Sequence, residues 1–160
     1  MIKIDQTLVA NTVLTAKSTK RWRINHNFHR EMTDPIQRLL NAVEPGSYIR
    51  PHKHENPDKR EIFLILAGKM LVVEFDETGG ITDHVILDAT PGHFGAEIAA
   101  RRYHFIIALL PGSDVYELKD GPYDPIDDKN FAPWAPAEGD PECHGYMAAV
   151  LRSLSLPLPW

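Results

Sequence analysis

Turn-forming residues divide this chain into short segments, and their spacing constrains the fold more than any other feature of the sequence. The 160 residues include 13 prolines and 10 glycines, and many of these lie between short apolar runs. Gly and Pro in such positions favour tight turns, so the runs between them are predicted to be strands. About eight to nine short strands at this spacing are typical of an all-β sandwich or barrel. The predicted strands are 21–29, 36–43, 47–54, 61–66, 70–75, 81–87, 96–99, 104–110 and 114–119.

The two ends of the chain depart from this strand pattern. Residues 5–18 predict a helix, with Asp5 as its N-cap and apolar residues roughly on one face. After Gly121 the chain becomes rich in Pro, Asp and Ala, and one more short helix is predicted at 144–154. The predicted layout is one domain over residues 1–160, with an N-terminal helical segment at 1–20 and a C-terminal arm at 121–160.

Charge and composition exclude several classes of partner. The formal net charge is -5, so a nucleic-acid partner is not expected, and the basic run Lys17–Arg23 is short and interrupted. No apolar stretch reaches the ~18 residues that a membrane span needs, and no signal peptide is evident. The single cysteine, Cys143, excludes an intrachain disulfide. We therefore expect a cytoplasmic protein with no membrane partner.

Two histidines that are one residue apart carry the strongest functional signal. His52 and His54 lie in a predicted strand, where positions i and i+2 point to the same side. Glu61 opens the next strand and can reach the same point across the sheet, while His104 follows a turn elsewhere in the barrel. Three imidazoles and one carboxylate suit a divalent transition-metal ion that keeps open positions for water or substrate. We therefore predict that His52, His54, Glu61 and His104 bind one such ion (Fe, Mn, Ni or Zn).

These residues stand in a pattern that resembles the first cupin motif, G-x5-H-x-H-x(3–6)-E-x6-G, which would run here from Gly46 to Gly68. The stretch EIAARRYH at 97–104 is similar to the second cupin motif, I-P-x-G-x-x-H. It has Ala99 in place of the usual proline and Arg101 in place of the usual glycine. The resemblance implies a cupin, that is, a double-stranded β-helix (jelly-roll) barrel with a metal site.

A closer resemblance covers nearly the whole chain up to about Gly139. The stretches NFHR (27–30), PGSYIRPHKH (45–54) and ELKDGPYDP (117–125) together are similar to the WbuC-type cupin fold metalloproteins. In bacteria that family is found beside genes for surface polysaccharide synthesis, among other places, and no reaction is securely attached to it. The resemblance implies the fold and a bound metal, but a fold alone does not determine a reaction.

Arg50 and Tyr48 are predicted to line a pocket beside the metal. They share parity with the two histidines if the strand is regular from 47 to 54. Arg50 can bind a carboxylate or phosphate of a ligand in a bidentate manner. The alternative is that Arg50 pairs with an internal acid such as Glu97 or Glu117. The two alternatives are about equal, and Glu97 is also predicted to line the pocket.

A second polar strand face contributes Asn27 and His29 to the predicted pocket. Polar residues recur at every second position from Arg21 to His29, so they lie on one side of a strand. His29 can act as a hydrogen-bond partner of a metal ligand or as an acid–base group, or it can be hydrogen-bonded at the barrel rim.

Two functions fit these predictions. The first is a metalloenzyme that acts on a small polar molecule such as a sugar or sugar nucleotide in surface polysaccharide metabolism, with its catalytic residues unassigned. Isomerisation, epimerisation and dioxygenation all remain open. The second is a non-catalytic, metal-dependent module that binds or senses a small molecule. Cupin-like barrels often pair through edge strands, which are a liability when exposed, so a homodimer is expected.

Overall fold

The protein, described by a computed structural model over residues 1–90, 92–124 and 129–160, consists mainly of short strands. Residues 125–128 of the predicted arm lie outside the described residues. The elements are α1 (Gln6–Ser18), β1 (Arg23–Asn27), β2 (Ile36–Val43), β3 (His52–Lys53), β4 (Glu61–Ala67), β5 (Lys69–Phe75), β6 (Ile81–Asp88), β7 (Gly95–Ile98), β8 (Tyr103–Ala108), β9 (Ser113–Asp120), β10 (Asn130–Phe131) and α2 (Cys143–Ser153).

The strands form two facing sheets. Over the described residues, sheet A has the order β1-β2-β9-β4-β7 and sheet B the order β10-β3-β8-β5-β6, with five strands in each. Neighbouring strands within both sheets are antiparallel. Consecutive strands such as β3 and β4 lie in opposite sheets, as expected for a jelly-roll barrel. The predicted all-β barrel is confirmed.

One apolar core fills the space between the sheets. It includes Phe63 and Val115 from sheet A and Met70, Val72 and Ile106 from sheet B. Side chains alternate along a strand, so only one set from each strand can face this core. The polar residues of the candidate site lie at one part of the same interior, where β3, β4, β8 and β9 contribute inward-facing side chains.

The C-terminal arm covers the outer face of sheet B. A second core cluster joins Leu71, Phe105 and Ile107 of sheet B to Met147 and Leu151 of α2. Every residue of β8 is therefore buried, because this strand packs on both faces. The helix predicted at 144–154 is found at Cys143–Ser153, and it supplies much of this cover.

The N-terminal helix packs on sheet A. α1 contacts β1 and β2, and it buries Thr12 and Ala16. The predicted N-cap is confirmed, since Oδ1 of Asp5 accepts a hydrogen bond from the backbone N–H of Leu8 at 2.9 Å. Neither described helix has the length and apolar composition needed to cross a membrane.

Removal of this cap should weaken the attachment of the helix. Asp5→Ala should lower the free energy of unfolding by about 1 kcal/mol, because the N–H of Leu8 loses its acceptor. Asp5→Ser keeps an acceptor and should lose only a few tenths of that amount. Urea unfolding of the three proteins measures the difference. Equal losses for Ala and Ser would show that the cap does not contribute.

Candidate metal centre

Four buried side chains from both sheets meet at one point inside the barrel. His52 on β3 lies directly opposite His104 on β8 in sheet B, and His54 follows β3 immediately. Glu61 begins β4 in sheet A. One donor atom from each of these residues lies within 4.8 Å of the others, and each residue is at most 4% exposed. The structure thus brings together the four residues predicted as ligands.

The hydrogen bonds of the histidines orient their Nε2 atoms toward one another. Nδ1 of His52 donates to the carbonyl oxygen of Arg50 at 3.0 Å, and Nδ1 of His104 donates to that of Arg102 at 2.9 Å. Because a carbonyl oxygen only accepts, both rings carry a proton on Nδ1, which in a neutral imidazole leaves a lone pair on Nε2. This is the tautomer in which a metal-bound histidine is usually held by its other ring nitrogen.

The Nε2 atoms of His54 and His104 lie beside the Glu61 carboxylate, and that of His52 has no hydrogen-bond partner among the described residues. Nε2 of His104 and Nε2 of His54 lie 2.8 Å and 3.1 Å from the same oxygen of Glu61. For His104 this places two acceptors face to face, unless a proton or a cation lies between them. Nε2 of His52 is fully buried and has no hydrogen-bond partner among the described residues. A buried acceptor of this kind is costly, so the arrangement fits a cation held by all four donors.

The charge states also suit metal ligands. Burial, together with the positive charge of Lys129, holds the pKa of His52 well below its usual range, so this imidazole stays neutral. Burial opposes ionisation of Glu61, but the adjacent imidazoles of His104 and His54 outweigh it and hold the pKa of the carboxyl well below its usual range. Neutral imidazoles and an ionised carboxylate are the forms that bind a metal ion.

The turn that precedes His104 is hydrogen-bonded to the segment that carries His54. The backbone N–H of Arg101 donates to the carbonyl oxygen of His54 at 3.0 Å, three residues before His104. Arg101 has a φ of 66°, a left-handed conformation that glycine adopts at less cost. Its guanidinium pairs with Asp58 at 2.8 Å. The turn therefore has the backbone shape expected of the motif's glycine even though an arginine occupies the position.

A cavity of about 440 Å³ opens beside the four residues, and both positively and negatively charged side chains line it. Arg50 lines it, with its guanidinium 5.5 Å from the ring centroid of Phe131 and Nη2 donating to the carbonyl oxygen of Ala132 at 2.7 Å. Nε of Arg50 is buried without a hydrogen-bond partner, and no acid among the described residues pairs with this guanidinium. The alternative in which Arg50 pairs with an internal acid such as Glu97 or Glu117 is therefore not seen among the described residues.

Asn27 and His29 lie in an adjoining compartment of about 220 Å³, away from the four-residue cluster. Asn25, Glu117 and Lys129 line both compartments, so the two are neighbours. Nδ1 of His29 accepts from the backbone N–H of Arg38 at 3.1 Å, which ties this side chain to β2.

Tyr48 and Glu97 lie elsewhere, contrary to the predicted pocket. Of the predicted strand 47–54, only His52–Lys53 is strand, so parity does not extend back to Tyr48. Its ring packs in the second core cluster, on the outer face of sheet B, and its hydroxyl donates to the carbonyl oxygen of Pro136 at 2.8 Å. Glu97 is exposed on the outer side of β7, because its neighbours Ala96 and Ile98 face the core.

Glu117 and Asn41 line the cavity but were not predicted as site residues. Nδ2 of Asn41 donates to Oε2 of Glu117 at 2.9 Å. Burial, and then the negative charge of Glu61, raise the pKa of Glu117 to about 8. The sequence signal was the alternation of β9, in which Glu117 and Lys119 share the inward side with Val115. Charged residues on the inward-facing side of a strand indicate a cavity that is open to water.

Comparisons with known proteins agree with this fold. L-ribose isomerase from Cellulomonas parahominis, solved with L-ribose, superposes with a TM-score of 0.55 and 16% identity over 73% of this chain and 72% of that one. The capsular polysaccharide assembling protein CapF from Staphylococcus aureus superposes with a TM-score of 0.53 and 20% identity over 68% of this chain. This chain spans only 31% of CapF.

Both of these structures are cupin-fold proteins, and at such identities the similarity shows the fold alone. No curated protein matches this chain. The family described as "Domain of unknown function (DUF6016)" matches residues 4–87, slightly more than half of the chain. The chain therefore has a cupin fold and belongs to the DUF6016 family.

Proposed function

We propose that this protein is a metal-dependent cupin enzyme that acts on a small, polar, anionic molecule such as a sugar acid or sugar nucleotide. The observation that carries the proposal is Nε2 of His52, which is buried, deprotonated and without a hydrogen-bond partner among the described residues, and which faces three other donors. Such an atom is stabilised by a metal ion. The 440 Å³ cavity beside it has room for a small ligand.

His52, His54, Glu61 and His104 would hold one divalent transition-metal ion, since imidazole and carboxylate donors suit that class. Such an ion supplies a Lewis acid with open coordination positions. The protein's own part is to hold the donors in position. The carbonyl oxygens of Arg50 and Arg102 fix the two imidazole rings, and the turn at Arg101 ties His54 to the segment of His104.

Arg50 would bind the anionic group of the ligand. Its guanidinium is held over Phe131 and by the carbonyl oxygen of Ala132, which leaves other N–H groups available. A guanidinium in a fixed plane matches a carboxylate or phosphate in a bidentate manner. Because no acid in the described part of the chain neutralises it, a ligand anion can take that place.

The sugar part of the proposal has support from the comparisons and from the sequence. One structural neighbour is an isomerase solved with its sugar, and another is named for capsular polysaccharide assembly. The motifs NFHR and PGSYIRPHKH also resemble the WbuC-type cupins, to which we propose this chain is related. Amide side chains such as those of Asn25 and Asn41 along the cavity are suited to hydrogen-bond hydroxyl groups.

Cobalt loading of the metal-free protein tests the proposal. The visible spectrum of bound Co²⁺ should change on addition of glucuronate, because a sugar acid can reach both the open coordination position and Arg50. Glucose, which lacks the carboxylate, should act more weakly. Nuclear magnetic resonance of the recovered sugar then separates an enzyme from a binding module, which returns the sugar unchanged. A Co²⁺ spectrum that responds to no added molecule would indicate a closed, structural metal site.

Arg50→Met should weaken glucuronate binding by about 10- to 100-fold, which corresponds to the loss of one charge-assisted hydrogen-bonded pair. The affinity of Arg50→Lys for glucuronate should fall between those of the wild type and Arg50→Met, since lysine keeps the charge but not the planar fork. The matched control is Arg60→Met, because Arg60 is exposed and pairs with Asp120 outside the cavity. Equal affinities of the Arg50 and Arg60 variants would contradict the assigned role.

A further inference from the structure

Arg23 lies in the wall of the cavity with its side chain mostly buried. Its side chain is 11% exposed, and Nη1 donates to the carbonyl oxygen of Tyr48 at 2.8 Å and to Oγ of Ser47 at 3.3 Å. These two bonds fix the plane of the guanidinium. Burial lowers the pKa of Arg23, and the hydrogen bond and charge of Glu138 partly oppose this shift, so an adjacent anion stabilises the charged guanidinium.

Glu138, from the C-terminal arm, is the anion that Arg23 now contacts. Nη2 of Arg23 donates to both oxygens of Glu138 at 2.7 Å, and Nη1 of Arg21 lies 3.6 Å from the same carboxylate. Unlike Arg23, Glu138 and Arg21 are well exposed, with 43% and 64% of their side chains accessible. The carboxylate can therefore turn toward solvent while Arg23 stays in position.

This ion pair stands between two spaces. Arg21, Arg23 and Glu138 line both the cavity of the candidate metal centre and an outer groove of about 570 Å³. The arm does not depend on the pair for its attachment. Trp134 of the same arm packs against Phe75 and Tyr103 of sheet B. The hydroxyl of Tyr48 also donates a hydrogen bond to the carbonyl oxygen of Pro136 in the arm.

We propose that Arg21 and Arg23 form a second anion-binding site at the mouth of the cavity, which Glu138 occupies until a carboxylate or phosphate group of the ligand displaces it. Arg50 lines the same cavity, so the ligand would be a small molecule with two anionic groups. This statement about the ligand rests on the proposed function. The anion site itself depends only on the arginines and Glu138.

Inorganic phosphate and acetate are suitable probes, with the metal-free, full-length protein in the calorimeter. Glu138→Gln keeps the shape of the side chain and removes the competing charge. It should bind phosphate at least about tenfold more tightly than the wild type. The double variant Glu138→Gln/Arg23→Met, which removes the buried positive charge, should lose this gain. A stronger gain for acetate than for phosphate would identify a carboxylate rather than a phosphate as the group for which the site is built.

The matched control is Asp58→Asn, which removes the carboxylate from the surface pair with Arg101 and should leave phosphate affinity unchanged. Because the metal-free protein is used, a failure of the metal proposal does not change the expected result. If Glu138→Gln remains folded by circular dichroism and gains no affinity for either anion, the pair only fastens the arm and the inference is wrong. A gain that persists in the Arg23→Met double variant would overturn it as well.

Discussion

Replacement of both His52 and His54 with alanine should reduce bound metal from about one equivalent per chain to less than about a tenth, since two of four ligands are lost. Elemental analysis of the purified proteins measures this change. The remaining donors, Glu61 and His104, already lie 2.8 Å apart and can satisfy each other with a proton. The variant should therefore fold and still lack metal.

The matched control is His84→Ala/His93→Ala, because both of these histidines are exposed and neither belongs to the four-residue cluster. This control should keep the metal of the wild type. Equal metal content in the two double variants would contradict the assignment of the site. The element that is found also narrows the chemistry, since iron points to reactions with oxygen and zinc to Lewis-acid steps.

Asp114→Asn should stabilise the protein, and the gain should grow with pH. Asp114 is fully buried, and among the described residues neither carboxylate oxygen has a hydrogen-bond partner. Burial raises its pKa from 3.8 to about 7, and the nearby backbone N–H of Asn41 offsets little of this shift. Folding therefore favours the protonated carboxyl, and ionisation of this carboxyl above pH 3.8 stabilises the unfolded chain relative to the folded one.

The direction of the pH effect follows from this difference. Above the unfolded pKa of 3.8 the wild type loses stability as pH rises, and the loss is complete above about pH 7. Asparagine cannot ionise, so the advantage of Asp114→Asn should rise over that range by up to about 4 kcal/mol. Urea unfolding at pH 4, 6 and 8 measures it. Glu117 also has a raised pKa, but it is present in both proteins and cancels in the difference.

Asp88→Asn provides a control of opposite sign. The ion pair with Lys69, followed by hydrogen bonds from Thr90, lowers the pKa of Asp88 to about 2. Its stabilising effect is present above the unfolded pKa and is lost as pH falls toward 2. Asp88→Asn should therefore be less stable than the wild type at neutral pH, and this difference should shrink in acid. A pH-independent effect of Asp114→Asn would contradict the buried, ionisable role of Asp114.

Local sequence pattern determined the strand-rich fold and the shared direction of two of the four donors at the candidate metal centre. Turn residues mark the ends of short strands, and His52 and His54 are neighbours in sequence, so their common direction is a local property. The likeness of the stretch from Gly46 to Gly68 to a known motif then added Glu61. The end helices were likewise predictable, because the cap at Asp5 and the apolar pattern near 144–154 are local as well.

Tertiary structure alone decided what surrounds the four donors. Parity predicts a side chain's direction only while the strand is regular, and the chain before His52 is not strand, so Tyr48 packs outside the barrel. Glu117 reaches the site because β9 lies between β2 and β4, a register set by contacts far apart in sequence. The pairing of Glu138 with Arg23 spans 115 residues. Local propensity carries no information about such contacts, since they form only when the arm folds over sheet B.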